Sequence, residues 1–124
     1  MATERTTIAS SSPFEDQVGY CRAVRIGPVI AVSGTTCPGE GVTEQARGAL
    51  RIIGAALEQA GASLSDVVRT RIYITDIEQW PALAQVHTEV FGAIRPAATM
   101  VEVSALIDPH LLVEIEVDAY VPEP

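Results

Sequence analysis

VVRTRIYIT, residues 67–75, is the most strand-like stretch of the sequence. It is rich in β-branched side chains, apolar and polar residues alternate along it, and Asp76 follows it as a turn residue. Alternation with a period of two gives a strand one apolar and one polar face. The stretch therefore predicts a β-strand that packs one face against a core.

An amphipathic helix is predicted on each side of this strand. From Val42 to Ala60 the apolar residues recur at steps of three and four, and Gly61 follows where a left-handed residue commonly ends a helix. The second helix is predicted from near Glu78, with Pro81 in its first turn, and Arg95-Pro96 ends it.

The remaining strand-like runs lie toward both ends of the chain. They are residues 6–9, 20–26, 29–33, 98–103 and 111–121. The resulting order, β-β-β-α-β-α-β-β, predicts an α+β sandwich in which helices cover one face of one sheet. The other face then lacks a cover, which favours an oligomer. We expect one domain over residues 1–124, with residues 1–16 partly flexible because residues 10–13 have a loop composition.

Composition limits the class of protein. The chain has a net charge of −8, a field that would repel a nucleic-acid backbone. No apolar stretch approaches the roughly 18 residues of a membrane span, and the N-terminus lacks the pattern of a secretion signal. The two cysteines are too few for a disulfide framework, and His87 and His110 have no metal-ligand spacing with them. We expect a cytoplasmic protein that binds neither nucleic acid nor membrane and uses no metal or cofactor.

Several short segments carry a resemblance to a known family. They are VSGT at residues 32–35, AGASL at 60–64 followed by DVV at 66–68, RPAATMVEV at 95–103, and VEIEV at 113–117. Each string is common by itself, but their order and spacing together are specific. Over roughly residues 19–121 the sequence resembles the YjgF/RidA family.

The resemblance implies a fold, an assembly and an activity. The fold is chorismate-mutase-like (bacillus type), with one mixed six-stranded β-sheet covered on one face by two helices. The assembly is a homotrimer with a small-molecule pocket at each subunit interface. The activity is hydrolytic deamination of small imine or enamine intermediates, with release of ammonia and without a cofactor.

The resemblance also assigns residues to the pocket. Glu116 takes the position of the glutamate that orients or activates the hydrolytic water. Substrate-binding positions carried over from the family are Tyr20, Gln85, Ala98, Thr99 and Met100. Gly34 is a further candidate because a glycine lets its backbone approach a ligand closely, although turn geometry alone also explains a glycine there.

Ala98 is the main departure from the family pattern. Family members have at this position an arginine that holds a substrate carboxylate, and alanine has no donor for that task. A substrate other than 2-aminoacrylate is therefore expected. Arg69 and Arg71 share one face of the strand at residues 67–75 and one of them can replace the anchor if that face lines the interface. The alternative is an ordinary ion pair; Arg95 is a weaker substitute.

Several alternatives remain open on the sequence alone. Glu116 shares a strand face with Glu114 and Asp118, so it is either a solvated carboxylate or an acid-base group whose pKa its like-charged neighbours raise. Cys37 is either a reactive thiol or a small packed side chain. The function is a deaminase or, on the same scaffold, a non-catalytic ligand-binding trimer. Endoribonuclease activity ranks last because the chain is acidic.

Overall fold

The computed structural model describes residues 4–122, which form one sheet with helices packed on it. The strands are β1 (Arg5–Ile8), β2 (Ala23–Ile26), β3 (Val29–Thr35), β4 (Val67–Ile74), β5 (Ala97–Glu102) and β6 (Val113–Tyr120). Their order across the sheet is β1-β2-β3-β6-β4-β5. β4 and β5 are parallel, and the other neighbours are antiparallel. The predicted mixed six-stranded sheet is thereby confirmed.

The helices are α1 (Phe14–Val18), α2 (Val42–Gln59) and α3 (Trp80–Phe91), with short 3-10 turns at Leu64–Asp66 and Ile77–Gln79. Both long helices were predicted, and Pro81 lies in the first turn of α3, where its missing N–H is not needed. Within residues 4–122, no helix is both long and apolar enough to cross a bilayer.

The core lies between the sheet and the two long helices. Alternate residues of β6 are buried, namely Val113, Ile115, Val117 and Ala119, and the residues between them are not. β4 shows the same alternation at Thr70, Ile72 and Ile74. From α2 the fully buried side chains include Ile53 and Leu57, so the period-two faces of the strands meet the period-3.6 face of the helix.

The opposite face of the sheet is not covered within one chain. Val29 and Tyr120 are about half exposed there, at 51% and 49%. The same face carries charged side chains of β4 and β6, including Arg71 and Glu116. A half-apolar sheet face of this kind is normally buried against another layer. The expectation of an oligomer rests on this face.

The N-terminal segment departs from the predicted loop. Residues 10–13 are non-regular as expected, but α1 follows directly, and that helix was missed. Its five residues are too few to show a helical period in sequence. Gly19 ends the helix in the left-handed conformation, with φ of 86°. Of the segment expected to be partly flexible, residues 1–3 lie outside the described residues.

Candidate active site

A groove of about 1250 Å³ opens between the N-terminal segment, α2 and the connection from β5 to β6. Its walls are mostly apolar, with Phe14 and Val18 on one side and Ile52 on the other. Its polar groups converge from elements far apart in sequence. They are Tyr20, Arg22, Ser33, Gly34 and Glu114. An apolar cleft with a few convergent polar groups is the usual form of a small-molecule site.

A bulge in β3 forms the polar end of the groove. Val32 pairs with Val117 and Thr35 pairs with Ile115. Two residues of β3, Ser33 and Gly34, therefore lie opposite the single β6 residue Glu116. Such a bulge bends the strand and redirects the groups beside it. The carboxylate of Glu114 packs directly over Gly34, where a Cβ atom would collide with Glu114 Oε2. Glycine at position 34 is therefore required for this arrangement.

The carboxylate of Glu114 is partly desolvated and poorly satisfied. Burial raises its pKa, the negative charge of Glu116 raises it further, and the positive charge of Arg22 partly offsets both effects. Among the described residues, none donates a hydrogen bond to this carboxylate. A glutamate with a raised pKa and free lone pairs can accept a proton from a water molecule and return it to a leaving group.

Hydrogen bonds hold the N-terminal segment over the groove. Glu15 accepts from the backbone N–H of Ser10 at 2.7 Å and from its hydroxyl. These bonds lower the pKa of Glu15 and keep it ionised. The Tyr20 hydroxyl donates to Ser12 Oγ at 3.0 Å. Tyr20 thereby links the groove wall to the segment before α1.

Gln45 ties together two loops that line the groove. It is 1% exposed, and its Nε2 donates to the carbonyl oxygens of Gly39 and His110 at 3.1 and 3.0 Å. Its Oε1 accepts from Leu112 N–H at 2.8 Å, just before β6. A buried amide with these bonds fixes the backbone that leads into Glu114. The sequence pattern gave no indication of this role, because Gln45 lies within an otherwise apolar helix face.

A second polar cluster lies on the uncovered sheet face. Glu116 accepts a hydrogen bond from the Tyr73 hydroxyl and lies 3.6 Å from Arg71 Nη1. Arg71 also pairs with Asp118 at 3.1 Å. The bond to Glu116 is the main cause that raises the pKa of Tyr73, and burial adds to it. In the single chain, Glu116 and Arg71 are thus committed to one another and to their neighbours.

The predicted site residues fall into separate groups. Tyr20 and Gly34 lie together in the groove. Glu116 and Arg71 lie outside its lining, in the cluster just described. The other predicted positions are also outside the lining: Gln85, exposed on α3, and Ala98, Thr99 and Met100 on the edge strand β5.

Three polar groups of the groove were not predicted as site residues: Arg22, Ser33 and Glu114. Glu114 precedes Glu116 by one strand period, so the sequence showed that both share a face but not which of them reaches the groove. Arg22 follows Tyr20 at the same two-residue step, and this spacing could have identified it.

The arginines considered as replacements for the missing anchor are engaged elsewhere. Arg69 donates to Thr99 Oγ1 at 3.3 Å, and Arg95 donates to the carbonyl of Gly92 at 2.9 Å. Cys37 does not line the groove. It packs on α2 so closely that a side chain at Gly48 would collide with its Sγ. This contact favours the interpretation of Cys37 as a small packed side chain.

Comparisons with known proteins agree with the fold. Residues 11–121 match the model of the family described as Endoribonuclease L-PSP. A RutC family protein of Pyrococcus abyssi is 37% identical over 109 residues, covering 82% of this chain and 85% of that protein. A 2-iminobutanoate/2-iminopropanoate deaminase of Capra hircus is 32% identical over 101 residues, covering 79% of this chain and 73% of the relative.

A solved structure gives the same result. The crystal structure of a Mycobacterium tuberculosis member of the YjgF/YER057c/UK114 family is 60% identical to this chain. The two structures superpose with a TM-score of 0.94, covering 95% of this chain and 100% of the other. On the sequence match and the shared fold together, the chain belongs to the YjgF/RidA family.

Proposed function

We propose that the protein is a hydrolase that deaminates small imine or enamine intermediates in the groove. The observation that carries the proposal is the Glu114 carboxylate, which lies over Gly34 with a raised pKa and without a hydrogen-bond donor among the described residues. The Capra hircus relative, named an iminobutanoate and iminopropanoate deaminase, supports this class of reaction.

The proposed reaction adds water across a C=N bond. The imine nitrogen takes up a proton from solvent, and Glu114 takes a proton from the attacking water as the water oxygen bonds to the imine carbon and the C=N bond becomes single. Glu114 then gives its proton to the amine nitrogen, the C–N bond breaks to release ammonia, and the remaining hydroxyl proton returns to solvent as the C=O bond forms. The balance is imine plus water to carbonyl compound plus ammonia. Glu114 serves first as base and then as acid.

Glu114 takes the role that the family resemblance assigned to Glu116. The two side chains project from the same face of β6, one strand period apart. Glu116 accepts a bond from Tyr73, lies beside Arg71 and does not line the groove, so its carboxylate is not placed to contact a water molecule there. We therefore propose Glu114 as the catalytic residue and Glu116 as a neighbour that tunes its pKa.

We further propose a homotrimer in which the uncovered sheet faces meet. The half-exposed Val29 and Tyr120 support burial of that face. β5 is an edge strand, so its residues Ala98, Thr99 and Met100 are available to approach the groove of a neighbouring subunit. The alanine at position 98 offers no hydrogen-bond donor, which favours a substrate other than 2-aminoacrylate.

The same alanine favours the alternative of a non-catalytic ligand-binding trimer. That protein would keep the groove and lack turnover. The family description as an endoribonuclease has less support here, because a chain of net charge −8 lacks the basic surface that RNA binding requires.

Ammonia release from a panel of freshly generated imines tests the proposal. Wild-type protein should accelerate release above the spontaneous rate for at least one imine, and Glu114→Gln should remove the acceleration. Glu58→Gln, which changes an exposed glutamate of α2 outside the groove lining, is the matched control and should keep full activity. Binding of the carbonyl products without any turnover of their imines would favour the non-catalytic alternative.

A further inference from the structure

Arg22 presents an unused guanidinium edge to the groove. The residue is half-buried and lies beside the bulge of β3. Its Nη1 donates to the Gly34 carbonyl oxygen at 3.0 Å and to Thr35 Oγ1 at 2.9 Å. These two bonds fix the guanidinium at the end of the groove where the Glu114 carboxylate also lies.

The positive charge of Arg22 has no direct counter-ion. Within residues 4–122, Arg22 forms no salt bridge, and both acceptors of its Nη1 are neutral oxygens. The carboxylates of Glu15 and Glu114 are near enough for its charge to lower their pKa values. The Glu15 carboxylate already accepts a hydrogen bond from Ser10, and the pKa of Glu114 remains raised despite the charge of Arg22.

The free edge has the geometry of an anion site. Nε and Nη2 of Arg22 make no hydrogen bond within the described residues, and neither is sealed from solvent. These two N–H groups point in parallel and match the two oxygens of a carboxylate. A cation held in this way in a mostly apolar cleft attracts an anionic ligand more strongly than one in open water.

We propose that Arg22 binds an anionic group of the ligand, a carboxylate in the first instance, through its Nε and Nη2. In this role Arg22, which lies directly before β2, supplies the carboxylate anchor that Ala98 cannot provide. The apolar walls at Phe14, Ile52 and Ile107 then take an apolar substituent. Resting on the proposed function, this makes Arg22 the residue by which the groove distinguishes imines that carry a carboxylate from imines that do not.

Binding of a stable product-like acid tests the anchor without turnover. The probes are 4-methyl-2-oxopentanoate and 4-methyl-2-pentanone, which differ in the carboxylate, with calorimetry on the assembled protein as the readout. Arg22→Gln should weaken binding of the acid about ten- to a hundredfold, as expected for loss of a charged bidentate pair, and leave the ketone within about threefold. The affinity of Arg22→Lys for the acid should lie between those of wild type and Arg22→Gln, because lysine keeps the positive charge but lacks the two parallel N–H groups.

Arg47→Gln is the matched control. Arg47 pairs with Glu89 on the surface and does not line the groove, so its loss should leave the affinity for both probes unchanged. Equal weakening of acid and ketone in Arg22→Gln, or no weakening of the acid, would overturn the anchor. So would a failure of the wild type to bind the acid more tightly than the ketone.

A kinetic arm separates this inference from the proposed function. With imines of leucine and of 3-methylbutylamine, Arg22→Gln should raise KM for the first only, whereas any change in kcat from losing the positive charge near Glu114 should be the same for both imines. Ammonia release with no preference for the carboxylate, in wild type or variant, would refute the anchor while the deaminase holds. Selective acid binding through Arg22 without ammonia release would refute the deaminase while the anchor holds.

Discussion

Glu114 and Glu116 are neighbours on one face of β6, yet their surroundings differ in every respect that matters for acid-base chemistry. Glu116 accepts a hydrogen bond from Tyr73 and lies near Arg71 on the uncovered sheet face. Glu114 lies over Gly34 in the groove, partly desolvated and without a donor among the described residues. Burial raises the pKa of the Glu114 carboxyl and so holds it closer to protonation.

The difference follows from local backbone geometry rather than from residue type. The bulge at Ser33-Gly34 interrupts the β3–β6 ladder opposite Glu116, and Gly34, which lacks a side chain, leaves room for the Glu114 carboxylate over its backbone. On the β4 side of β6, regular cross-strand pairing sets Glu116 opposite Arg71. One strand thus carries two carboxylates in different surroundings, Glu114 at the groove and Glu116 in the cluster with Tyr73 and Arg71.

Exchange of each carboxylate for its amide should give the largest contrast. Glu114→Gln should lower kcat for ammonia release by about 10²- to 10⁴-fold, the usual contribution of a general acid-base group. Glu116→Gln should lower kcat by less than about tenfold. Steady-state kinetics on both variants check this. The reverse order, with Glu116→Gln the more damaging, would return the catalytic role to Glu116.

Gly34→Ala should sever the contact that gives Glu114 its environment. The added Cβ collides with the Glu114 carboxylate and displaces it, and a displacement near 1 Å in an active site costs about 100-fold in kcat. Gly54→Ala is the matched control, because the new Cβ meets only Leu64 at an ordinary 3.4 Å. It should keep kcat and add up to about 1 kcal/mol of stability through better helix propensity. Equal activities of the two variants would contradict the packing argument.

The pH profile should reveal the coupling between the two carboxylates. Because Glu114 acts as a base with a raised pKa, the acid limb of kcat/KM should lie above the about 4.3 of an ordinary glutamate. Glu116→Gln removes a negative neighbour, lowers the pKa of Glu114 and should shift this limb to lower pH. A limb that stays fixed in Glu116→Gln would show that the two groups do not interact.

The thermal stabilities of Glu114→Gln and Glu116→Gln should change in opposite directions. These are the smallest of the expected effects. The folded state raises the pKa of Glu114, so its ionised form opposes folding at pH values above that pKa. Glu114→Gln should therefore raise Tm slightly at pH 7, and the gain should vanish below about pH 4, where the carboxyl is protonated in both states. Glu116→Gln weakens the bond from Tyr73 and should cost about 1 kcal/mol. A Tm for Glu114→Gln below wild type at pH 7 would contradict the desolvation argument.

The fold was largely predictable because its signals are local and periodic. Alternation defined β4 and β6, and helical periodicity defined α2, whereas the five residues of α1 are too few to carry a period. The site was less predictable. Tyr20 and Gly34 were identified, but the approach of the Glu114 carboxylate to Gly34 depends on the bulge and the strand register around it, which alternation does not encode.

We propose above all that Glu114, not Glu116, transfers the proton. Carbon-13 NMR titration of side-chain carboxyls in the assembled protein, assigned by Glu114→Gln and Glu116→Gln, tests this claim most directly. We predict a titration midpoint for Glu114 above the about 4.3 of an ordinary glutamate. In Glu116→Gln, that midpoint should fall. A Glu114 midpoint at or below the ordinary value, unmoved by Glu116→Gln, would contradict the claim.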